Sequence, residues 1–175
     1  MKKARMVLED MRIGKYKEGL LDLIVDLPSN LIMLEVGSYK GESTVLFMNS
    51  GKVEKLYSVD TWRKGEHYDF TEAENTFDKA TKERNIVKLK MSVVEASKIF
   101  LKAGVLFDFI YIDGDHSYEW VKLDIRHSLP FLKPHGIIAG HDYTFSYKDR
   151  VVKAVDEILG KPDKIYKDTS WLKYM

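Results

Sequence analysis

The chain has 175 residues, a length typical of one domain of about 100–200 residues. Hydrophobic residues make up 45% and charged residues 31%, which favours a globular fold over disorder. The 28 basic and 27 acidic residues nearly balance, so we expect no nucleic-acid partner. The absence of cysteine excludes disulfides, thiolate metal sites and cysteine nucleophiles.

The sequence also carries no signal for a membrane. No apolar run approaches the roughly 18 residues of a membrane span, and the basic N-terminal residues lack the apolar stretch of a signal peptide. We therefore expect a cytoplasmic protein with no membrane partner. We predict a single domain over residues 1–175, with an N-terminal helical segment at 1–28 and an α/β core at 31–175.

Hydrophobic periodicity predicts alternating helices and strands. The predicted helices are residues 11–27, 42–48, 71–84, 92–102, 117–132 and 149–159. The predicted strands are 31–36, 55–59, 86–91, 107–112 and 136–139, followed by two short strands at 164–166 and 171–174. This alternation predicts a doubly wound, mostly parallel sheet with helices on both faces. Because ligands bind at the carboxyl ends of such strands, the residues after each strand are the candidates for function.

A glycine-containing loop, residues 35–44, follows the first strand. Gly37 and Gly41 allow a tight turn into a helix N-terminus and a close approach of a ligand to the backbone. The loop is neither a P-loop, because Glu42 follows Gly41, nor a dinucleotide-binding fingerprint, because Tyr39 occupies the second glycine position. A plain strand-to-helix turn is the alternative interpretation.

The second and third strands also end in polar residues. Asp60 lies about 20 residues beyond the glycine loop, a spacing suited to binding a ribose diol. Trp62 either stacks on a base or covers the core. Ser92 and Glu95 have the spacing of a capping box, and Ser92 is also a candidate for contact with an adenine edge.

Carboxylates and imidazoles cluster after the fourth and fifth strands. The residues are Asp113, Asp115, His116, His141 and Asp142. They converge if these two strands are neighbours, about 4.8 Å apart. Clustered carboxylates repel unless a proton or cation lies among them, and a set without sulfur favours Mg²⁺, Mn²⁺ or Ca²⁺. The alternative is that some members, Asp115 for example, only cap the next helix.

Four motifs in this order resemble those of class I S-adenosylmethionine (SAM)-dependent methyltransferases, over residues 31–143. They are the Glu-Val-Gly-x-x-x-Gly loop, the acidic end of strand two, Asp-Gly-Asp-His-Ser-Tyr-Glu after strand four, and Gly-x-Ile-x-x-x-His-Asp-Tyr at strand five. The last two are similar to a subgroup that includes macrocin-like sugar O-methyltransferases. The resemblance implies a Rossmann-like sheet of seven strands, the last inserted antiparallel.

The resemblance also implies roles for individual residues. It places cofactor contacts at Glu35, Gly37, Ser38, Gly41, Asp60, Trp62, Ser92 and Asp113. It implies a divalent-metal set of Asp113, His141 and Asp142, in which His141 departs from the aspartate of the metal-dependent sugar methyltransferases. Asp115 matches the proposed general base, and His116 and His141 compete with it because an imidazole titrates near neutral pH.

The implied reaction is methyl transfer from SAM to a hydroxyl of a small molecule or sugar. Resemblance to the metal-dependent sugar methyltransferases further implies assistance by Mg²⁺ or another divalent cation. The chain has little room for a substrate-recognition insert. Only the N-terminal helix and the loops at 63–70 and 144–148 remain to cover the acceptor. We therefore expect either a large acceptor at an open site or a homo-oligomer whose second subunit completes the pocket.

Several other functions fit parts of the sequence. The apolar strand ending in Asp-x-Asp is typical of metal-dependent nucleotide-sugar glycosyltransferases, but it leaves the glycine loop and Asp60 unexplained. An Asp-x-Asp phosphatase would have its motif near the chain start. Tyr118-x-x-x-Lys122 suits an NAD-dependent oxidoreductase, yet the dinucleotide glycine pattern is missing. A nucleic-acid amino-methyltransferase would need a different run of residues after strand four. The hypothesis of a non-catalytic binding protein with a SAM-dependent methyltransferase fold stays open.

Overall fold

The computed structural model describes residues 18–63, 70–144 and 149–175. Its α-helices are α1 (Glu18–Asp26), α2 (Glu42–Asn49), α3 (Thr71–Thr81), α4 (Val93–Ala103), α5 (Tyr118–Ser128) and α6 (Arg150–Leu159), with a 3₁₀ turn at Leu129–Phe131. Its strands are β1 (Leu31–Val36), β2 (Val53–Asp60), β3 (Ile86–Lys90), β4 (Phe107–Ile112), β5 (Leu132–Gly140), β6 (Lys164–Ile165) and β7 (Trp171–Tyr174). No helix among these residues is long and apolar enough to cross a membrane.

The strands form one seven-stranded sheet in the order β3-β2-β1-β4-β5-β7-β6. The neighbours from β3 through β5 are parallel, whereas β7 runs antiparallel to both β5 and β6. This arrangement confirms the predicted fold class, a doubly wound, mostly parallel Rossmann-like sheet with an antiparallel insertion.

Helices cover both faces of the sheet, and β4 shows why. Ile110 and Ile112 point to one face and pack in the cluster that contains α4, α5 and α6. Phe109 and Tyr111 alternate to the other face and pack against α1 and α2. All four side chains are buried, and each of the three hydrocarbon side chains, Ile110, Ile112 and Phe109, contributes about 1.5–3 kcal/mol through removal from water. The sequence of a strand that is buried on both faces is a nearly continuous apolar run, as in β4.

Some boundaries differ from the prediction, for local reasons. α3 ends at Thr81 rather than 84, because the backbone is already non-helical at Lys82, with ψ of 138°, and left-handed at Glu83, with φ of 65°. α5 ends at Ser128, and Pro130, which lacks a backbone donor, falls in the 3₁₀ turn that follows. β5 begins earlier than predicted, at Leu132. Residues 11–17 of the first predicted helix lie outside the described residues.

The register of the central strands fixes the location of the site. Val36, at the end of β1, pairs with Val59 of β2 on one side and Ile112 of β4 on the other. Ile112 in turn pairs with Gly140, the last residue of β5. Four carboxyl ends therefore lie at one edge. The chain order reverses between β1 and β4, which is where open α/β sheets bind ligands.

Candidate functional site

Gly37 marks the closest approach between the loops after β1 and β4. Its φ of 88° is left-handed, and a Cβ built on it would lie 2.2 Å from the carbonyl oxygen of Asp113. No other residue fits that space without displacing the backbone of one loop. The glycine predicted for this turn is therefore required by both conformation and packing.

Glu35 holds the glycine loop from beneath. Its fully buried carboxylate accepts hydrogen bonds from the hydroxyls of Ser38 (2.8 Å), Ser43 (2.7 Å) and Thr44 (2.5 Å). Burial raises the pKa of Glu35 to about 7, although the three hydroxyls oppose the shift. Glu35 lines neither of the two cavities described below, and its hydrogen bonds give it a positioning role in the loop. The direct cofactor contact predicted for it stays a prediction.

Asp60, at the end of β2, also binds this loop. Its Oδ2 accepts hydrogen bonds from the backbone amides of Ser38 (3.0 Å) and Tyr39 (2.9 Å), and its Oδ1 accepts one from the amide of Trp62 (2.8 Å). A carboxylate has about four acceptor positions, so one on Oδ1 remains. Asp60 also lines the larger cavity, which fits the predicted binding of a ribose diol.

Trp62 and Gly41 lie away from that cavity. Trp62 is 3% exposed, its indole N–H donates to the carbonyl of Tyr39 at 2.7 Å, and its ring packs 4.9 Å from that of Phe77. The structure thus favours core packing over base stacking for Trp62. Gly41 starts α2 with φ of 82°, and a Cβ there would meet the Phe77 ring at 3.0 Å. The structure gives both residues packing roles, and the cofactor contacts predicted for them stay predictions.

Ser92 forms the predicted capping box at the start of α4. Its hydroxyl accepts a hydrogen bond from the amide of Glu95 at 3.3 Å, and the Glu95 carboxylate accepts one from the amide of Ser92 at 2.9 Å. This confirms the structural role. Ser92 also lines the larger cavity, beside Met91 and Val93.

The larger cavity has a volume of about 590 Å³ and lies over the carboxyl ends of β1, β2, β3 and β4. That volume is in the range of small-molecule and cofactor sites. Six predicted site residues line it: Gly37, Asp60, Ser92, Asp113, Asp115 and His116. Six further polar or aromatic residues of its wall were not among the predicted site residues: Tyr39, Thr61, Arg63, Phe70, Trp120 and Asp124.

A smaller cavity, of about 230 Å³, adjoins the first. The two share Gly37, Tyr39 and Asp113 in their walls. The smaller one is also lined by Ser38 and His141, two further predicted site residues. The site is therefore divided into two compartments that meet where the loops after β1 and β4 touch.

The predicted acid–imidazole cluster is assembled at the ends of β4 and β5. One ligand atom from each of Asp113, His141 and Asp142 lies within 4.8 Å of the others. His116 Nε2 lies 3.2 Å from Asp142 Oδ2 and 3.6 Å from Asp113 Oδ1, and His141 Nδ1 lies 3.3 Å from Asp142 Oδ2. Two carboxylates and an imidazole form a plausible donor set for a divalent cation.

The charges in this acid–imidazole cluster shift one another. The carboxylate of Asp113 raises the pKa of His116, with a smaller contribution from Asp142. Burial raises the pKa of Asp113 despite the nearby imidazoles. Desolvation by itself would lower the pKa of His141, but its hydrogen bond to Asp142 and the charge of Asp113 produce a net rise. The same hydrogen bond lowers the pKa of Asp142.

Asp115 has a local partner. Its Oδ1 accepts a hydrogen bond from the backbone amide of Ser117 at 2.8 Å, in the turn that leads into α5. This bond closes a turn at Ser117, the N-cap residue, rather than capping an amide of the first turn of α5, so the capping alternative is not observed for Asp115. Asp115 also lines the larger cavity. His116 reaches both Asp113 and Asp142, and its side chain is 56% exposed.

Asp124 is the missed residue with the clearest sequence signal. Val121, Asp124, Ile125 and Ser128 are the buried positions of α5, at helical spacing. An aspartate among apolar positions on one helix face indicates a buried carboxyl that needs an explanation. By contrast, the Lys122 ammonium donates to the Tyr118 hydroxyl and to Glu157 of α6, so the Tyr-x-x-x-Lys pair serves helix packing.

Solved structures with this fold are methyltransferases and related enzymes, at 14–16% sequence identity. A Streptococcus mutans protein assigned as SAM-dependent methyltransferase superposes with a TM-score of 0.65 and 16% identity, over 89% of this chain and 47% of that one. This chain therefore spans about half the length of that relative. No curated protein matches the sequence.

Two other solved structures are matched over most of their own length. An O-methyltransferase from Bacillus cereus in complex with S-adenosylhomocysteine (SAH) has a TM-score of 0.64 and 14% identity, over 98% of this chain and 87% of that chain. CalS11, the TDP-rhamnose 3′-O-methyltransferase of calicheamicin biosynthesis, has a TM-score of 0.61 and 15% identity, over 99% and 91%.

Family membership rests on the sequence itself. The family model described as "Methyltransferase domain" matches residues 34–143, which is more than half of the chain. This span begins within β1, includes the glycine loop and Asp60, and ends just beyond the acid–imidazole cluster after β5. The chain belongs to the methyltransferase domain family.

Proposed function

We propose that this protein transfers the methyl group of SAM to a hydroxyl of a small molecule or sugar, with a divalent cation at the acid–imidazole cluster. The observation that supports this most strongly is the joining of two features at one edge of the sheet. The larger cavity gathers Gly37, Asp60 and Ser92, and the cluster of Asp113, His141 and Asp142 lies beside it.

The two compartments suit the two ends of SAM. The larger cavity would hold the nucleoside, with the remaining acceptor position of Asp60 available to the ribose. The smaller cavity would hold the amino-acid end, between the Ser38 side of the glycine loop and His141. Their common wall at Gly37 and Asp113 would then lie near the sulfonium, whose methyl group is the electrophile that SAM supplies.

The residues of the cluster are suited to activating a hydroxyl. Asp113, His141 and Asp142 would hold the cation, which acts as a Lewis acid and lowers the pKa of a bound hydroxyl. His116 would take the proton, because its exposed imidazole lies 3.2 Å from Asp142 and 3.6 Å from Asp113 and an imidazole titrates near neutral pH. In this scheme the protein orients two reactants and moves one proton.

O-Methylation of a sugar is supported by resemblance rather than by a bound acceptor. CalS11, one of the structural neighbours, is a TDP-rhamnose 3′-O-methyltransferase, and the Bacillus cereus neighbour is an O-methyltransferase. The imidazole of His141 shifts the expected metal preference from Mg²⁺ toward ions that accept nitrogen ligands, such as Mn²⁺. A homo-oligomer that covers the acceptor is part of the same proposal.

Calorimetric titration with SAM, and separately with UDP-glucose, each with and without Mg²⁺ or Mn²⁺, tests the proposal. We expect SAM to bind at one site per chain and Asp60→Ala to weaken that binding strongly. The exposed carboxylate of Glu119 provides a control, and Glu119→Gln should bind like the wild type. Metal-dependent binding of UDP-glucose without binding of SAM would overturn the proposal in favour of a glycosyltransferase.

A further inference from the structure

Asp124 is a buried carboxyl group that the mechanism above does not use. It lies in the middle of α5, its side chain is 7% exposed, and it lines the larger cavity. Within residues 18–63, 70–144 and 149–175, it has no hydrogen-bond or ion-pair partner. Leaving a mostly buried polar group unpaired is unfavourable, and more so when the group is charged. A ligand that supplies the missing hydrogen bonds would recover that cost.

The surroundings of Asp124 keep it free for a ligand. A Cβ on Gly114 would lie 3.0 Å from Asp124 Oδ2, so the glycine of the Asp-Gly-Asp turn leaves room around the carboxyl group. Leu123, Val93 and Met91 provide apolar wall in the same cavity, and the indole of Trp120, 44% exposed, stands at its rim. Apolar walls with a few placed polar groups are typical of a small-molecule pocket.

The charges around Asp124 favour its neutral form. Burial raises the pKa of Asp124 to about 7, and the nearby carboxylates of Asp115 and Asp60 add to the rise. The other titratable or charged side chains that line the same cavity are Tyr39, Asp60, Arg63, Asp113, Asp115 and His116. A neutral carboxylic acid offers one O–H donor and one carbonyl acceptor side by side.

Resting on the proposed function, we propose that Asp124 recognises the adenine base of the bound nucleoside and selects for its 6-amino group. Adenine presents an amino donor beside a ring-nitrogen acceptor on each of its hydrogen-bonding edges. The donor–acceptor pair of a neutral carboxylic acid complements either edge. Asp60 and Ser92 would then contact other parts of the nucleoside, and Asp124 would be the residue that tells adenine from other bases.

Calorimetric binding of SAH, and of its purine analogue without the 6-amino group, tests this inference. Asp124→Asn keeps a donor and an acceptor but cannot ionise, whereas Asp124→Leu has neither. We expect the wild type to bind SAH about tenfold more weakly at pH 8 than at pH 6, because most of the Asp124 carboxyl groups are ionised at pH 8. Asp124→Asn should bind SAH equally at both pH values, and Asp124→Leu should lose at least about tenfold at both.

The base preference separates recognition from a merely structural role. Wild type and Asp124→Asn should prefer SAH to the purine analogue, and Asp124→Leu should bind the two alike. Glu119→Gln, an exposed change on the same helix, should behave as wild type. If Asp124→Leu does not fold, the inference is tested with Asp124→Asn alone. This variant should bind SAH independently of pH and should still prefer SAH to the purine analogue.

Two failures are distinguishable. If the wild type binds no SAH at either pH, the proposed function fails and this inference fails with it. If the wild type binds SAH but Asp124→Leu keeps the full preference for the amino group, or Asp124→Asn keeps the wild-type pH dependence, only the inference about Asp124 is overturned.

Discussion

Two buried carboxyl groups, Glu35 below the glycine loop and Asp124 beside the turn after β4, differ in one respect. Burial raises the pKa of each to about 7. Glu35 nevertheless accepts hydrogen bonds from three hydroxyls of its own chain, whereas Asp124 has no such partner in the described part of the chain. Burial therefore has a similar effect on both pKa values, but the Glu35 carboxylate belongs to a completed hydrogen-bond network, whereas the Asp124 carboxyl group faces a cavity.

This difference distinguishes residues that stabilise the site by internal hydrogen bonds from residues whose polar groups face the cavity and are available to a ligand. The β1 side is satisfied internally, since Glu35 and Asp60 use most of their acceptor capacity on the glycine loop. The β4 side keeps its polar groups exposed to the cavity or to one another, as in Asp124 and His116. Substitutions on the β1 side should therefore cost stability, and those on the β4 side should change binding and pH dependence.

The largest expected effect comes from Gly37→Ala, which should break the contact between the two sides. The new Cβ would need to share space with the Asp113 backbone at a left-handed φ of 88°. We expect a loss of more than about 4 kcal/mol in the free energy of unfolding, or failure to fold. Gly51→Ala is the control, because Gly51 has a φ of 70° and no atom within 4 Å of the new Cβ. It should cost about 1 kcal/mol in the same denaturant titration.

Glu35→Ala tests whether the internal network is as important as its satisfied bonds suggest. The change leaves the hydroxyls of Ser38, Ser43 and Thr44 without their acceptor and opens a buried void. We expect the free energy of unfolding to fall by about 3–5 kcal/mol. Glu35→Gln, which keeps shape and one acceptor oxygen, should lose less. Equal stability of Glu35→Ala and wild type would contradict the assigned role.

In contrast to the two substitutions above, Asp124→Asn should increase the free energy of unfolding. Because the pKa of Asp124 is raised from 3.8 to about 7, its carboxyl favours folding below pH 4 and loses that advantage as pH rises through 7. The asparagine variant should therefore gain stability over wild type at pH 8, by at most about 4 kcal/mol, and little at pH 4. Thermal unfolding of both proteins across this range measures the difference. A pH-independent difference would contradict the account.

The smallest effect concerns the imidazoles. Asp142→Asn removes a carboxylate that contacts both His116 and His141, so the pKa of each should fall toward 6.5. A raised histidine pKa stabilises the fold below pH 6.5, and that contribution disappears as pH rises through the shifted value. NMR titration of the imidazole protons in the metal-free protein checks the direction. Unchanged values would show that Asp142 does not control them.

Much of the fold could be predicted because its signals are local. The apolar run of β4 and the capping box at Ser92 can each be recognised from a few neighbouring residues. Boundaries were less predictable where the backbone left the helical conformation, as at Lys82 and Glu83. The short strands β6 and β7 were also predicted, and their pairing with β5 supplies the antiparallel edge.

The site was predicted where chemistry follows a strand and missed where it comes from the middle of a helix. The convergence of Asp113, His141 and Asp142 followed from the adjacency of β4 and β5. The sequence left Trp62 either stacking on a base or covering the core, and its packing against Phe77 favours the core. Asp124 belongs to the cavity through the orientation of α5, which spacing along the chain does not reveal.

The most direct measurement is a crystal structure of the protein with SAH bound. The account predicts the nucleoside in the larger cavity, the ribose hydroxyls on Asp60, and the adenine amino edge within hydrogen-bond distance of Asp124. SAH bound outside this cavity, or a cavity still without SAH at saturating concentration, would contradict the central claim that these strand ends form the cofactor site.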